Sequence, residues 1–212
     1  MSTIAITEAI TTLAEAQQRF NLHRTEDEEF FSEWRLDLPD ITDTEKTGLN
    51  QLRQRYLYQR SEGHLLEGIV MLLLVSPLLG IAGFYDPPFK VRAEESVQIT
   101  IDDSEDILQG RIDVLVLNHQ IWVVVLESKK TALSVWAGLP QNLAYLMANP
   151  QPEKPSFGMM TNGDDILFVK LTQMEERQYN VSRVFSPFIS DGELYNVLQV
   201  LKSIIHHTQS PE

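Results

Sequence analysis

The chain has 212 residues, 43% of them hydrophobic and 22% charged, which is ordinary for one soluble globular domain with a small appendage. It contains no cysteine, so disulfides, thiolate zinc sites and cysteine nucleophiles are excluded together, and any metal must be held by oxygen or imidazole. A formal net charge of −13 argues against a broad phosphate-gripping surface, since Lys and Arg normally supply most of the non-specific hold on nucleic acid.

Met1 to Ala5 lacks a basic head and a continuous apolar stretch, and Glu8 and Glu15 break up the next fifteen residues, so export is not expected and the cytoplasm is the expected compartment. Residues from Thr3 to about Phe20 place Ile4, Ile6, Ile10, Leu13 and Ala14 at mixed helical spacings, predicting a modest amphipathic helix. The acidic stretch from Glu26 to Asp43, with Pro39, reads as an irregular connection. A helix is expected from Thr44 to Arg60, with Leu49, Leu52, Tyr56 and Leu57 on one side and a Thr42/Glu45 capping box ahead of it.

From Glu62 to Val75 the apolar density predicts a buried helix. Its extension to Phe84 sits at the short edge of the roughly 17–25 residues a bilayer requires. Ser76-Pro77, Gly80 and Gly83 break the run, so a helix followed by a turn is expected and no membrane span. Three strands are predicted next, over Phe89 to Ile101, Leu108 to Leu117 and Ile121 to Leu126. A helix fits Leu139 to Met147, with Pro140 tolerated in its first turn and Asn149-Pro150 ending it. Phe157 to Met160 and Ile166 to Leu171 flank Asn162-Gly163, a hairpin signal. Val181 to Phe185 is a candidate edge strand, and Leu194 to Ile205 a closing helix. The predicted class is α/β, a mixed central sheet flanked by helices, with a helical extension over residues 1–60 and the main domain over 61–212.

Charged residues enter the sheet at one hairpin. With Asn118, His119 and Gln120 as a three-residue loop, Leu117 faces Ile121 and Asp113 faces Val125, so Asp113, Glu127 and Lys129 emerge on one face. Diagonal neighbours of this kind lie about 7–8 Å apart at the backbone, a gap two carboxylates can bridge through one cation. A one-residue slip would send Asp113 to the other face. Carboxylates beside an ammonium suit metal-assisted phosphodiester hydrolysis, in which Mg²⁺ (or Mn²⁺) polarises the phosphoryl oxygen and activates water. The bland alternative is an exposed Glu127/Lys129 pair at a strand end, but Asp113 adjoins the apolar Val114 to Leu117 and Glu127 closes the most hydrophobic strand, where unpaired carboxylates would be costly.

These residues resemble the PD-(D/E)xK restriction-endonuclease-like nucleases, and more closely the nuclease domain at the N-terminus of type I restriction motor subunits. The resemblance covers roughly Glu62 to Lys170. The hairpin acid corresponds to Asp113, the E-x-K tripeptide to Glu127-Ser128-Lys129, and a Q-x-x-x-Y on the following helix to Gln141 and Tyr145, which share a helical face at i and i+4. The turn Thr161-Asn162-Gly163 also matches, while Ile112 stands where the family has Pro. The resemblance implies an α-β-β-β-α-β core, Mg²⁺ held by Asp113 and Glu127, a further acid from the first core helix, for which Glu67 is the candidate and Glu62 a weaker one, and DNA as substrate. Glu67 could equally be a helix glutamate in solvent, or paired with Arg60 or His64; Gln141 and Tyr145 could equally be a buried polar pair pinning the helix.

Lys90, Arg92, Arg111 and Lys130 are candidates for a local basic rim. Two functions are expected on these grounds. One is an active DNA nuclease, acting as a homodimer or with restriction-system subunits; the other is a non-catalytic module that keeps the nuclease fold and needs a partner. The chain is too short to carry the motor ATPase of a type I enzyme as well.

Overall fold

The computed structural model describes residues 3–100, 107–118, 121–127, 134–174, 176–190 and 192–209, with the backbone alone for 100, 118, 121–127, 208 and 209. Its elements, in chain order, are β1 (Thr3–Ala5), α1 (Ile6–Ala9), α2 (Leu13–Phe20), β2 (His23–Arg24), α3 (Asp43–Arg60), α4 (Glu67–Val70), a π-helical turn (Met71–Val75), α5 (Ser76–Ala82), β3 (Lys90–Thr100), β4 (Ile107–Asn118), β5 (Ile121–Glu127), α6 (Leu139–Met147), β6 (Ser156–Thr161), β7 (Ile166–Thr172), β8 (Gln178–Val181) and α7 (Glu193–Gln209). The described strands form one mixed sheet in the order β1-β4-β5-β6-β7-β8-β2, with β3 pairing β4 at its other edge. The fold is mixed α/β.

Helices cover both faces. On one, α3, α4, α5 and α7 pack over Val116, Phe157, Met159, Ile166 and Phe168. On the other, α1, α2 and α6 pack over Leu108, Ile112, Leu115, Met160, Leu167 and Val169. Cover on both faces buries every position of β6, Ser156 and Thr161 included, rather than alternate ones.

The N-terminal stretch is not one helix. Thr3–Ala5 pairs in parallel with β4, and Thr12 starts a fresh helix through a capping box with Glu15, a T-x-x-E signal that divides the run. His23–Arg24 then pairs in parallel with β8, so β8 is an internal strand and not the expected edge. Residues 3–24 thus add a strand at each of two sites on the sheet. Glu33, on the intervening segment, reaches Lys170 on β7 at 2.5 Å in a pair that is almost wholly buried.

The Thr42/Glu45 capping box of α3 is present as expected, and Leu49, Leu52 and Tyr56 are its buried face. The next helix starts at Glu67 and runs on through Ser76-Pro77 to Ala82 instead of turning there. Pro77 has no N–H to give, and the π turn just before it widens the helix where that donor is missing. Nor is this helix buried all round: Ile69 and Leu72 are exposed. The Asn162-Gly163 hairpin forms with Gly163 at φ 90°, the Asn162 side chain accepting from the N–H groups of Asp164 and Asp165.

Candidate active site

β4 and β5 pair from Asn118↔Ile121 to Val114↔Val125, and there the ladder stops. Only His119 and Gln120 separate the two strands, and the register differs by one from the expected Leu117↔Ile121. Beyond the last rung β5 continues along β6, reaching Glu127↔Thr161, while β4 continues along β3. The strands part at the two residues singled out from the sequence. Asp113 is the first position past the fork on β4, and Glu127 the second on β5.

Strict alternation in this register would set Asp113 on the face opposite Glu127. β4 does not alternate strictly. Ile112 and Leu115 both enter the core beneath α6, whereas Val114 packs with Val116 into the other core. Two residues apart, Ile112 and Val114 should share a face, so the strand rolls over between them, at Asp113. Opposite it on β3, Glu94 has φ 56°, while Ala93↔Val114 and Glu95↔Ile112 keep one register on either side. Asp113 itself is half-buried.

α6 brings Tyr145 to this place. Its ring lies over Gly110 of β4, and its phenol, almost fully buried, is pushed above its ordinary pKa mainly by burial, with the Asp113 charge adding and a hydrogen bond from the Arg111 backbone N–H opposing. Gln141, one turn earlier on α6, is half-buried. Between them Asn142 is fully buried, and neither its Oδ1 nor its Nδ2 has a hydrogen-bond partner. It lies against Gly158 of β6, where only a glycine leaves room for it. Gly110 was not singled out from the sequence, yet an isolated glycine inside a strand signals just such a close approach.

Glu67 lies in the first turn of α4, half-buried. Val70, three residues on along the same helix face, sits against Gly163, and Thr161 at the start of that turn is the β6 partner of Glu127. The turn is thus met by Val70 of α4 and by the end of β5. Arg60 does not pair with Glu67: its guanidinium grips Asp164, Nε to Oδ1 at 3.1 Å and Nη2 to Oδ2 at 2.9 Å. Arg92 is engaged by Glu95 at 2.9 Å and Arg111 by Glu94 at 3.7 Å, so part of the expected basic rim is neutralised locally.

Lys129, Ser128 and Lys130 lie outside the described residues, as does the side chain of Glu127. Among the described residues, no three His, Asp or Glu side chains come close enough together to hold a metal. A cavity of about 310 Å³ lined by Phe31, Trp34, Arg35 and Asn180 lies at the β8 end of the sheet, away from Asp113. No described helix is long and apolar enough to cross a membrane.

No protein-family model matches the chain, and no curated protein does. Among solved structures, the crystal structure of SSO0001 is similar at 14% identity with a TM-score of 0.34, over 100% of this chain and 78% of that one. A similarity this low carries no argument about fold or function.

Proposed function

We propose that this chain is a Mg²⁺-dependent nuclease with a restriction-endonuclease-like core, hydrolysing phosphodiester bonds in DNA. The observation that carries the reading is the fork: β4 and β5 separate at Asp113 and Glu127, so no backbone rung fills the space between two acids that the sequence puts on neighbouring strands. An acid placed beside an apolar run at such a gap has a use for a cation. Carboxylate oxygens from Asp113, Glu127 and Glu67 suit a hard ion of this kind, with Mn²⁺ an acceptable substitute. When bound, the ion would polarise a phosphoryl oxygen and lower the pKa of the attacking water.

The remaining roles belong to the chain itself. Lys129, two residues beyond Glu127, supplies an ammonium for the charge that builds on the phosphate. Gln141 on α6, half-buried, contacts the backbone of the nucleic acid or orients Lys129, while Tyr145, its phenol buried against β4 and held neutral with its pKa raised by burial, orients Lys129. DNA binding by the isolated chain is weak because of the charge of −13, so restriction-system subunits or a second copy supply the remaining hold.

The test is incubation of the purified protein with supercoiled, linear and single-stranded DNA in Mg²⁺ or Mn²⁺, beside Lys129→Ala, Asp113→Asn and an EDTA control. Metal-dependent cleavage that falls about 100-fold or more in either variant is the expected result. The acidic surface favours one other reading, a nuclease-fold scaffold without hydrolysis. Absence of cleavage on every substrate, together with no Mg²⁺ binding that Asp113→Ala abolishes, would establish it.

A further inference from the structure

The outer edge of the sheet at β3 has an arrangement of charge that fits its own copy. β3 is 11 residues long, and among the described strands it pairs with β4 alone. An edge of this length is a template for another strand unless it is blunted, and the usual devices are a bulge or charges of one sign that repel a like edge. Here the charges change sign along the strand. Lys90 and Arg92 precede a kink, and Glu94 and Glu95 form and follow it.

The kink does more than interrupt the edge. Arg92 pairs with Leu115 and Glu95 with Ile112, and both of those β4 residues enter the core beneath α6. Directly paired residues share a face, so Arg92 and Glu95 lie on the same face although they are three residues apart. In an uninterrupted strand that spacing would put them on opposite faces. β4 keeps its register across the kink by rolling over at Asp113, opposite Glu94, and a second β3 brings an irregularity of the same kind to the same place.

We infer that the β3 edge is a two-fold interface through which a second copy of this chain pairs antiparallel, with the axis between Ala93 and Glu94. In that register Arg92, which reaches Glu95 of its own chain at 2.9 Å, also stands directly opposite Glu95 of the second copy, and the symmetric pair repeats on the other side of the axis, so two intrachain pairs join into one ring of four charges alternating in sign. Both pairs lie on one face only because of the kink. Val91, at 42% exposure, is covered in the process. The interface is isologous and closed, as a dimer requires. The sheet then continues through two copies, with the two Asp113 residues separated by three strand spacings, roughly 14 Å. If the nuclease reading holds, this relates two sites by the same kind of axis that relates the two strands of a duplex. The interface itself does not depend on that reading.

The experiment is sedimentation velocity on the full chain from about 1 to 100 µM, for the wild type, Arg92→Glu, Glu95→Arg and the double exchange. Each single exchange sets like charges opposite each other, and the double exchange restores opposite charges. A wild-type dimer at twice 24.2 kDa, single variants at least 10-fold weaker in association, and recovery in the double variant are expected. Circular dichroism of each variant separates loss of pairing from loss of fold, and the double variant keeps the test open if a single one fails to fold. A monomeric wild type overturns the inference, as does a dimer indifferent to both single exchanges or a double variant that stays monomeric. Mass reads the interface and cleavage reads the site, so the two proposals fail separately.

Discussion

Gly110 lies directly under the ring of Tyr145: a Cβ built on Gly110 would stand 2.5 Å from Tyr145 Cε1 and 2.9 Å from Ile6 Cδ1. Nothing larger than a hydrogen fits, because β4 and α6 approach each other across this residue. Gly110→Ala is therefore expected to destabilise the fold by about 1–3 kcal/mol through overpacking, outweighing the few tenths gained from a stiffer unfolded chain. Urea denaturation of the variant beside the wild type measures it. A midpoint unchanged or raised would mean that Tyr145 is not held against β4.

The same contact gives an optical handle on Asp113. Burial raises the Tyr145 pKa most, and the negative charge of Asp113 raises it further by disfavouring a second anion nearby. Asp113→Asn removes that charge and leaves the burial, so the Tyr145 pKa should fall back part of the way towards 10. Alkaline titration of tyrosinate absorbance, with Tyr145→Phe identifying the relevant transition, reads the shift. No change between wild type and Asp113→Asn would place the carboxylate away from α6.

Much of the fold was legible because periodicity and capping act locally. α3 and its Thr42/Glu45 box, α6 from Leu139 to Met147, and the strands from β3 to β7 appear where the pattern of residues put them. What failed depended on tertiary partners. Thr3–Ala5 and His23–Arg24 are strands because β4 and β8 offer free edges, and no local preference announces that. The hairpin register turned on whether Asn118 pairs with Ile121, one rung that moves every side chain to the other face. At the candidate site, residue identities were readable from motif spacing. The roll of β4 at Asp113, on which their relative placement depends, was not, because it is shared between two strands and shows only in which core Ile112 and Val114 enter.

Helix α2 carries a pH-dependent latch. The Glu15 carboxylate accepts hydrogen bonds from the Thr11 N–H at 2.8 Å, the Thr11 hydroxyl at 2.9 Å and the Thr12 N–H at 2.9 Å, and these lower its pKa from 4.5 to about 2, with the Thr11 backbone bond the largest cause. A depressed folded-state pKa means that the contribution is fully present above pH 4.5 and is lost as pH falls towards 2. Glu15→Gln should therefore melt below the wild type at neutral pH, and the difference should shrink as the pH is lowered through that window. Thermal melts from pH 7 to pH 2.5 follow it, and a difference that stays constant would exclude the latch.

Asn142 and Gly158 are coupled by space rather than by a hydrogen bond. Asn142 is fully buried with both amide atoms unpartnered, and a Cβ on Gly158 would fall inside contact distance of its whole amide group, 2.9 Å from both Cγ and Nδ2. Gly158→Ala should cost about 1–3 kcal/mol, since the amide cannot retreat without lifting α6 off the sheet. Asn142→Ala opens a small cavity but also removes a buried amide whose missing hydrogen bonds cost about 1–3 kcal/mol, so its net effect should stay within about 1 kcal/mol of the wild type. In the double variant the added methyl occupies space that the amide has vacated. The two substitutions should then be non-additive, the pair more stable than the sum predicts by about 1 kcal/mol or more. A double-mutant cycle by chemical denaturation decides it. Strict additivity would mean that Asn142 and Gly158 do not meet, and that something other than this contact sets how closely α6, with Gln141 and Tyr145, rides on the sheet.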